Sequence, residues 1–357
     1  MLRPYAHIQI IMTDTPTLHA ALEAALAQAI GQPVEVRDLA MIVGGSSQET
    51  WRLDALVGGG PQQILQRLIM RRPLGGSIYE SSLDLQREYA ALSAAVATGV
   101  PSPQPFALLP DLLGGPASLV ERLDAESIGR KLVREPRWAE ARTMLPAQMG
   151  AALAAIHRVD LVAHGLLGLL PAPAPGQTPA QARMAQIEAE LDRIDEPHPA
   201  LELCLRWLRR NEPPPPARLV LVHGDYRIGN ILVHPAEGMV GVIDWEFTHI
   251  GDYAEDLTWG QIREWRFGVD QLKLGGIGQP APFYTAYAQH GDLPVNKERT
   301  HYWEVMGNVW WAIGTLNQAR RHLRGEERNI EFASLGRRAA EIELEALRLL
   351  RSRTSTE

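Results

Sequence analysis

The 357-residue chain has a single cysteine, only three lysines, and no apolar run near the length of a membrane span. The lone Cys204 excludes an internal disulfide and any Cys-rich zinc site, and it fits a reducing compartment, so the cytoplasm is the expected location. A span needs roughly 18 consecutive apolar residues, and the apolar patch at 7–12 is also too brief for a signal-peptide core, so neither secretion nor membrane anchoring is expected. A basic surplus is missing as well. The net charge of −7 argues against general binding to a nucleic-acid backbone. The lysines are Lys131, Lys273 and Lys297, none of them in the first 130 residues. Any cation that pairs with phosphate in the N-terminal part must therefore be an arginine.

What is present is the profile of a soluble globular protein: 45% hydrophobic, 22% charged, with 31 Gly and 26 Pro. At roughly 100–200 residues per domain, the length suggests about two domains or one bilobal protein. Met12 precedes a helix-like stretch at 18–30 and is a candidate natural start, which would make residues 1–11 an unstructured extension. Short apolar or alternating runs at 39–43, 50–55 and 64–71 are broken by Gly44-Gly45-Ser46-Ser47 and Gly58-Gly59-Gly60-Pro61, the pattern of an antiparallel meander. Helical spacing over 77–96 places Leu85, Tyr89, Leu92 and Val96 on one stripe. Prolines 101, 103 and 105 end it, and a strand pair at 106–109 and 118–123 completes a small sheet of about five strands. From residue 127 the pattern is helical, at 147–158, 179–194 and 199–210. A strand-rich lobe is thus followed by a helix-rich one.

Residues 217–256, ARLVLVHGDYRIGNILVHPAEGMVGVIDWEFTHIGDYAED, are the most informative. A strand runs into His223-Gly224-Asp225; five residues later Asn230 opens a second strand, and a turn leads to a third that ends at Asp244. A hairpin centred on Glu237 would set Asn230 opposite Asp244, with Cβ atoms roughly 5 Å apart. Two oxygen-bearing side chains so placed, beside a loop aspartate, suit a magnesium ion bound to substrate phosphates, because magnesium takes few protein oxygens. Asp225 is left free to accept a proton, a division of labour that serves phosphoryl transfer. The plain alternative is a structural turn in which Asp225 caps backbone amides.

The motifs HGDYRIGN, IDWE and GDYAEDL, in this order and spacing, resemble those of the aminoglycoside phosphotransferase (APH) superfamily, the kinase-like phosphotransferases that include choline and homoserine kinases. The resemblance is nearest to bacterial phosphotransferases akin to the kinase-like domain of some acyl-CoA dehydrogenases. It implies an α+β, bilobal, protein-kinase-like fold: a small antiparallel-sheet nucleotide-binding lobe at 1–122 and a larger, mainly helical lobe for catalysis and acceptor binding at 123–357. It also implies ATP and Mg²⁺, with Asp225 as the base and Asn230 and Asp244 on the metal.

In the first lobe the resemblance implies phosphate contact at Gly44, Gly45, Ser46 and Ser47, and a strand arginine on the α- and β-phosphates. Arg71 matches that place, with Arg72 the alternative if the strand slips by one residue. Glu88, on the apolar stripe of its helix, is the expected partner of that arginine; the alternative is a solvated rim glutamate. Glu121 to Leu123 matches the hinge whose backbone would meet the adenine edge. Asp256 is expected to brace the catalytic loop, or else to be a helix-surface acid, and Asp252 with Glu255 reads as a capping box. His157 is expected to be a satisfied core residue, and most of the six tryptophans after residue 244 to be core.

The activity implied is transfer of the γ-phosphoryl group of ATP to a hydroxyl of a small molecule; the rival is a catalytically silent nucleotide-binding pseudokinase, which would lack the base or a metal ligand. A protein kinase is disfavoured because no activation loop follows IDWE. Residues 257–357 hold 14 Arg and Lys against 12 Asp and Glu, and arginines cluster at 320–324 and 337–338. A polycationic acceptor would want a carboxylate-rich pocket, so a neutral or anionic metabolite is expected.

Overall fold

The computed structural model describes residues 15–42, 48–73, 78–79, 81–194, 196–327 and 329–352. Contacts divide the chain into two compact units, Met1–Gly75 with Pro105–Arg122, and Gly76–Gln104 with Leu123–Glu357.

The first unit contains α1 (Thr15–Ile30), β1 (Val34–Ile42), β2 (Gln48–Val57), β3 (Ile64–Pro73), β4 (Pro105–Leu109) and β5 (Ala117–Glu121). Its strands form one antiparallel sheet in the order β1-β2-β3-β5-β4. Leu18, Leu22 and Leu26, spaced by four, form one stripe of α1, and all three are fully buried against Leu53, Ala55, Leu68, Met70 and Leu119. Each such leucine contributes about 1.5–3 kcal/mol. Strand alternation then sorts the rest of β3: Leu68 and Met70 face the helix, and Arg71 falls on the opposite face.

The second unit contains α2 (Leu85–Ala97), α3 (Gly129–Arg134), α4 (Ala139–His157), α5 (Pro179–Arg193), α6 (Pro199–Arg210), α7 (Ala254–Trp259), α8 (Pro280–His290), α9 (Lys297–Leu323), α10 (Ile330–Gly336) and α11 (Ala339–Ser352). Two small antiparallel sheets lie among them, β6 (Val220–Val222) with β9 (His249–Gly251), and β7 (Ile231–His234) with β8 (Gly238–Val242). No helix of the described residues is long and apolar enough to cross a membrane.

Residues 76–104, expected within a first lobe running unbroken to 122, group with the second unit instead. Tyr79 stacks on Trp310 with ring centroids 3.9 Å apart, and the Leu83 amide donates to the Glu246 carbonyl at 2.7 Å. The helix of this segment starts at Leu85 and not near residue 77, because Asp84 caps it by accepting from the Arg87 amide.

The expected capping box of Asp252 and Glu255 does not form. Asp252 turns back to the Ala254 amide and pairs with Arg299 of α9, while Glu255 reaches Arg183 of α5 and His249 of β9. Long-range cations outbid the local amide because a buried carboxylate needs a charge partner. Burial alone would raise the Glu255 pKa, but Arg183 and His249 outweigh it and hold it at about 2. A carboxyl depressed in the folded state stabilises above its unfolded value, near 4.5, and loses that contribution as pH falls toward 2. Chemical denaturation from pH 6 to pH 3 should therefore show a steeper acid loss in the wild type than in Glu255→Gln, with a gap on the order of 2–3 kcal/mol at pH 6.

Candidate active site

The buried strand β6 delivers the chain into His223-Gly224-Asp225. Two successive backbone amides there donate to one carboxylate: His223 N to Asp256 Oδ2 at 2.7 Å and Gly224 N to Asp256 Oδ1 at 2.9 Å. Asp256 is 1% exposed on the first turn of α7. His157 of α4 meets it at 3.2 Å through Nε2, and its Nδ1 lies 2.8 Å from the Tyr287 hydroxyl of α8. Asp256 thus braces the loop, and His157 is a satisfied core histidine.

Gly224 adopts φ +81°, and a Cβ there would lie 2.3 Å from the Phe247 carbonyl oxygen, so only glycine fits. The His223 ring is buried, which lowers its pKa and keeps it neutral. Its Nδ1 accepts from the Asp225 amide at 3.3 Å, which makes Nε2, 3.1 Å from the Ile243 carbonyl, the protonated nitrogen.

The loop presents Asp225, 6% exposed. Its Oδ1 accepts from Arg227 Nε at 2.8 Å and from the indole Nε1 of Trp259; its Oδ2 accepts from Asn230 Nδ2 at 2.5 Å. The Arg227 guanidinium lies 4.3 Å over the Trp265 ring, and Trp265 leans on Trp311 with centroids 4.7 Å apart. Arg227 and Trp259 were not among the residues singled out from sequence. The signal for Trp259 is its place one helical turn after Asp256; Arg227 could be suspected only from its nearness to Asp225.

Asn230 does not sit directly opposite Asp244. The ladder pairs Ile231 with Val242 and Leu232 with Gly241, then shifts so that Val233 meets Met239 and His234 meets Gly238. The extra residue in β8 moves the register by one, and the Asn230 carbonyl accepts from the Ile243 amide at 3.0 Å. Asp244 follows one residue beyond, half-buried, at φ +71°. An aspartate held in the left-handed region is a strained position of the kind that functional sites retain.

The donor set suits a hard cation in one respect: both side-chain hydrogen bonds of Asn230 come from its Nδ2, which leaves its amide oxygen for a metal. Among the described residues no group of three or more His, Cys, Asp or Glu is placed to hold an ion. A cation here would depend on phosphate oxygens for its remaining ligands.

In the first unit, Gly44, Gly45, Ser46 and Ser47 lie outside the described residues. Arg72 is on the α1 face of β3, where Nη2 donates to the Leu112 carbonyl at 3.1 Å and Nη1 lies 3.7 Å from Glu49. Arg71 stands between Thr50 and Ser118 in the ladder, on the other face. Glu88 belongs to the second unit and is 5% exposed, so it is not a solvated rim residue. Glu121 ends β5, and the division between the units falls just after it, between Arg122 and Leu123. Three of the five clustered C-terminal arginines pair within the chain: Arg321 with Glu327, Arg324 with Glu326, and Arg338 with Glu264. Five of the late tryptophans are buried and Trp311 is half-buried.

The sequence profile of the phosphotransferase enzyme family, APH, matches residues 38–296. The chain belongs to this family. Acyl-CoA dehydrogenase family member 11 of Gallus gallus is 27% identical over 254 residues, which are 69% of this chain and 30% of that protein. Family member 10 of Mus musculus is 29% identical over 203 residues, 54% of this chain and 18% of that one. The APH chain therefore spans less than a third of these relatives. Among solved structures, one from Ralstonia eutropha named as an aminoglycoside phosphotransferase superposes with a TM-score of 0.70 at 22% identity, covering 93% of this chain and 98% of that one. A choline/ethanolamine kinase family protein of Mesorhizobium loti gives 0.59 at 18%, covering 93% and 95%. Spectinomycin phosphotransferase APH(9)-Ia, solved with ADP and spectinomycin, gives 0.60 at 13%, covering 92% and 98%. These likenesses bear on the fold, which is α+β with an antiparallel-sheet N-terminal region and a helical C-terminal one.

Gly224→Ala should cost upwards of about 2 kcal/mol, from the left-handed φ together with the clash on Phe247. Urea denaturation measures it, and wild-type stability in the variant would contradict the packing described.

Proposed function

We propose that this APH-family chain is an ATP-dependent phosphotransferase that moves the γ-phosphoryl group onto a hydroxyl of a small molecule. The observation that carries this reading is Asp225, a buried carboxylate held by three N–H donors on a braced loop, with Asn230 bonded to it and Asp244 just beyond the adjoining ladder. In this reading Asp225 orients the acceptor hydroxyl and takes its proton. Asn230 and Asp244 would hold magnesium, which supplies charge neutralisation on the phosphates. The ADP present in the spectinomycin phosphotransferase structure supports a nucleotide as the donor. Arg71, on the face of β3 away from α1, is the cation we assign to the phosphates, with the backbone of 121–123 at the adenine edge. Rate enhancement would come from positioning and fixed charge, with no covalent protein intermediate.

The acceptor we propose is a neutral or anionic hydroxylated metabolite and not a polycationic aminoglycoside. Support comes from residues 257–357, where acidic side chains do not outnumber basic ones, and from the cation beside the base, Arg227. The acyl-CoA dehydrogenase names of the relatives make hydroxy acids and their CoA esters the first compounds to test.

Asp225→Asn is expected to lower transfer by roughly 10²–10⁴ while leaving nucleotide affinity within a few-fold. Asp244→Ala should weaken magnesium-dependent nucleotide binding more than Asn230→Ala, because a carboxylate brings charge as well as an oxygen; calorimetry with and without magnesium measures both. Near-normal turnover in Asp225→Asn, or metal-independent affinity in both metal variants, would refute the assignment. In a panel of kanamycin-type aminoglycosides, hydroxy acids and hydroxyacyl-CoA esters, transfer is expected to the last two groups, and efficient, saturable phosphorylation of the aminoglycosides would overturn the acceptor class.

A further inference from the structure

The two oxygens of Asp225 are unequally occupied. Oδ1 accepts from both Arg227 Nε and Trp259 Nε1, and Oδ2 accepts from Asn230 Nδ2 alone. A carboxylate oxygen has about two lone-pair directions, so Oδ1 is filled and Oδ2 keeps one open. We propose that Oδ2 is the atom that takes the acceptor's proton, and that Trp259 is the positioning residue that fixes this choice. The inference rests on the phosphotransferase reading above. In the step it describes, the acceptor O–H bond breaks and the proton goes to Oδ2. The acceptor oxygen bonds to the γ-phosphorus, and the bond from that phosphorus to the β–γ bridging oxygen breaks, its electron pair leaving with ADP.

Three features single out Trp259. Its indole nitrogen is a donor only, so it can close Oδ1 without competing for the proton. It stands on α7 one turn after Asp256, so the same short helix holds the loop's backbone amides and one oxygen of its carboxylate. It is also buried, whereas the Arg227 side chain is 21% exposed and rides on the loop itself. Asn230 divides the site in a complementary way, since its Nδ2 holds Oδ2 and the Asp225 carbonyl while its amide oxygen is left for a metal.

The test uses the whole chain and compares wild type with Trp259→Phe, which keeps a ring and loses the donor, and Trp259→His, which restores an N–H. Turnover of MgATP is measured with water and with the hydroxy acids, CoA esters and kanamycin of the panel above. Trp259→Phe is expected to lose about 10- to 100-fold in kcat, part of what a positioned base contributes, with KM for MgATP within about 3-fold. Trp259→His should recover part of the loss. A readout independent of turnover is the indole N–H proton resonance of Trp259 in ¹⁵N-Trp-labelled protein, assigned by its absence in Trp259→Phe. It should move upfield in Asp225→Asn, where the charge it donates to is removed. A wild type that transfers, with Trp259→Phe equal to it in kcat, or an indole resonance unmoved by Asp225→Asn, overturns the positioning role alone. A wild type with no turnover on any acceptor overturns the phosphotransferase reading and with it the proton's destination.

Discussion

The pairing of one buried carboxylate, Asp256, with two consecutive backbone amides governs the geometry of the His223–Asp225 loop. Neither amide could be buried without an acceptor, and the carboxylate could not be buried without donors. Each side therefore fixes the other, and the direction in which Asp225 leaves the loop follows. His157 and Tyr287 extend the pairing into α4 and α8, so the loop is tied to the body of the helical unit and not to its neighbours in sequence alone.

Around this brace the helix α7 works over a single turn. Asp256 holds the main chain, Trp259 holds the side chain of Asp225, and Glu255 and Asp252 on and before the helix pair with Arg183 and Arg299. A helix of six residues has little stability of its own. Its place is set by the long-range polar contacts of four residues, Asp252, Glu255, Asp256 and Trp259, which explains why its local capping pattern was not realised. The aromatic group of Trp259, Trp265 and Trp311 then supplies the low-polarity flank on which Arg227 lies, and a guanidinium so stacked is held in one orientation beside the carboxylate.

The strands of the sheet were legible in the sequence because their turns are marked by glycine and proline, and α1 because its leucines repeat every four residues. Parity along β3 was legible only as an alternative between Arg71 and Arg72. It is resolved by the burial of Leu68 and Met70 under α1, a packing fact that alternation by itself cannot orient. The hairpin of β7 and β8 was legible, but its register was not, since the turn centres on Ala236 and not on Glu237, and the bulge that then shifts the ladder by one leaves no mark in a run such as MVGV. Helix α2 was expected in the first lobe from its order in the chain; its packing groups it with the second unit through Tyr79 and Leu83, residues that lie before the helix itself.

The sequence by itself determined the family and the alternation of a sheet-forming first part with a helical second part, because those rest on residue type and spacing, and it marked Asp225, Asn230 and Asp244 as candidates within some forty residues. Tertiary structure alone decided that Asp256 braces and is not a surface acid, that Glu255 pairs with Arg183 and not with a cap, and that Trp259 and Arg227 share one oxygen of Asp225. The physical reason is the same in each case: a buried charge is satisfied by whichever donor the fold brings within about 3 Å, and that donor stands dozens of residues away as readily as two.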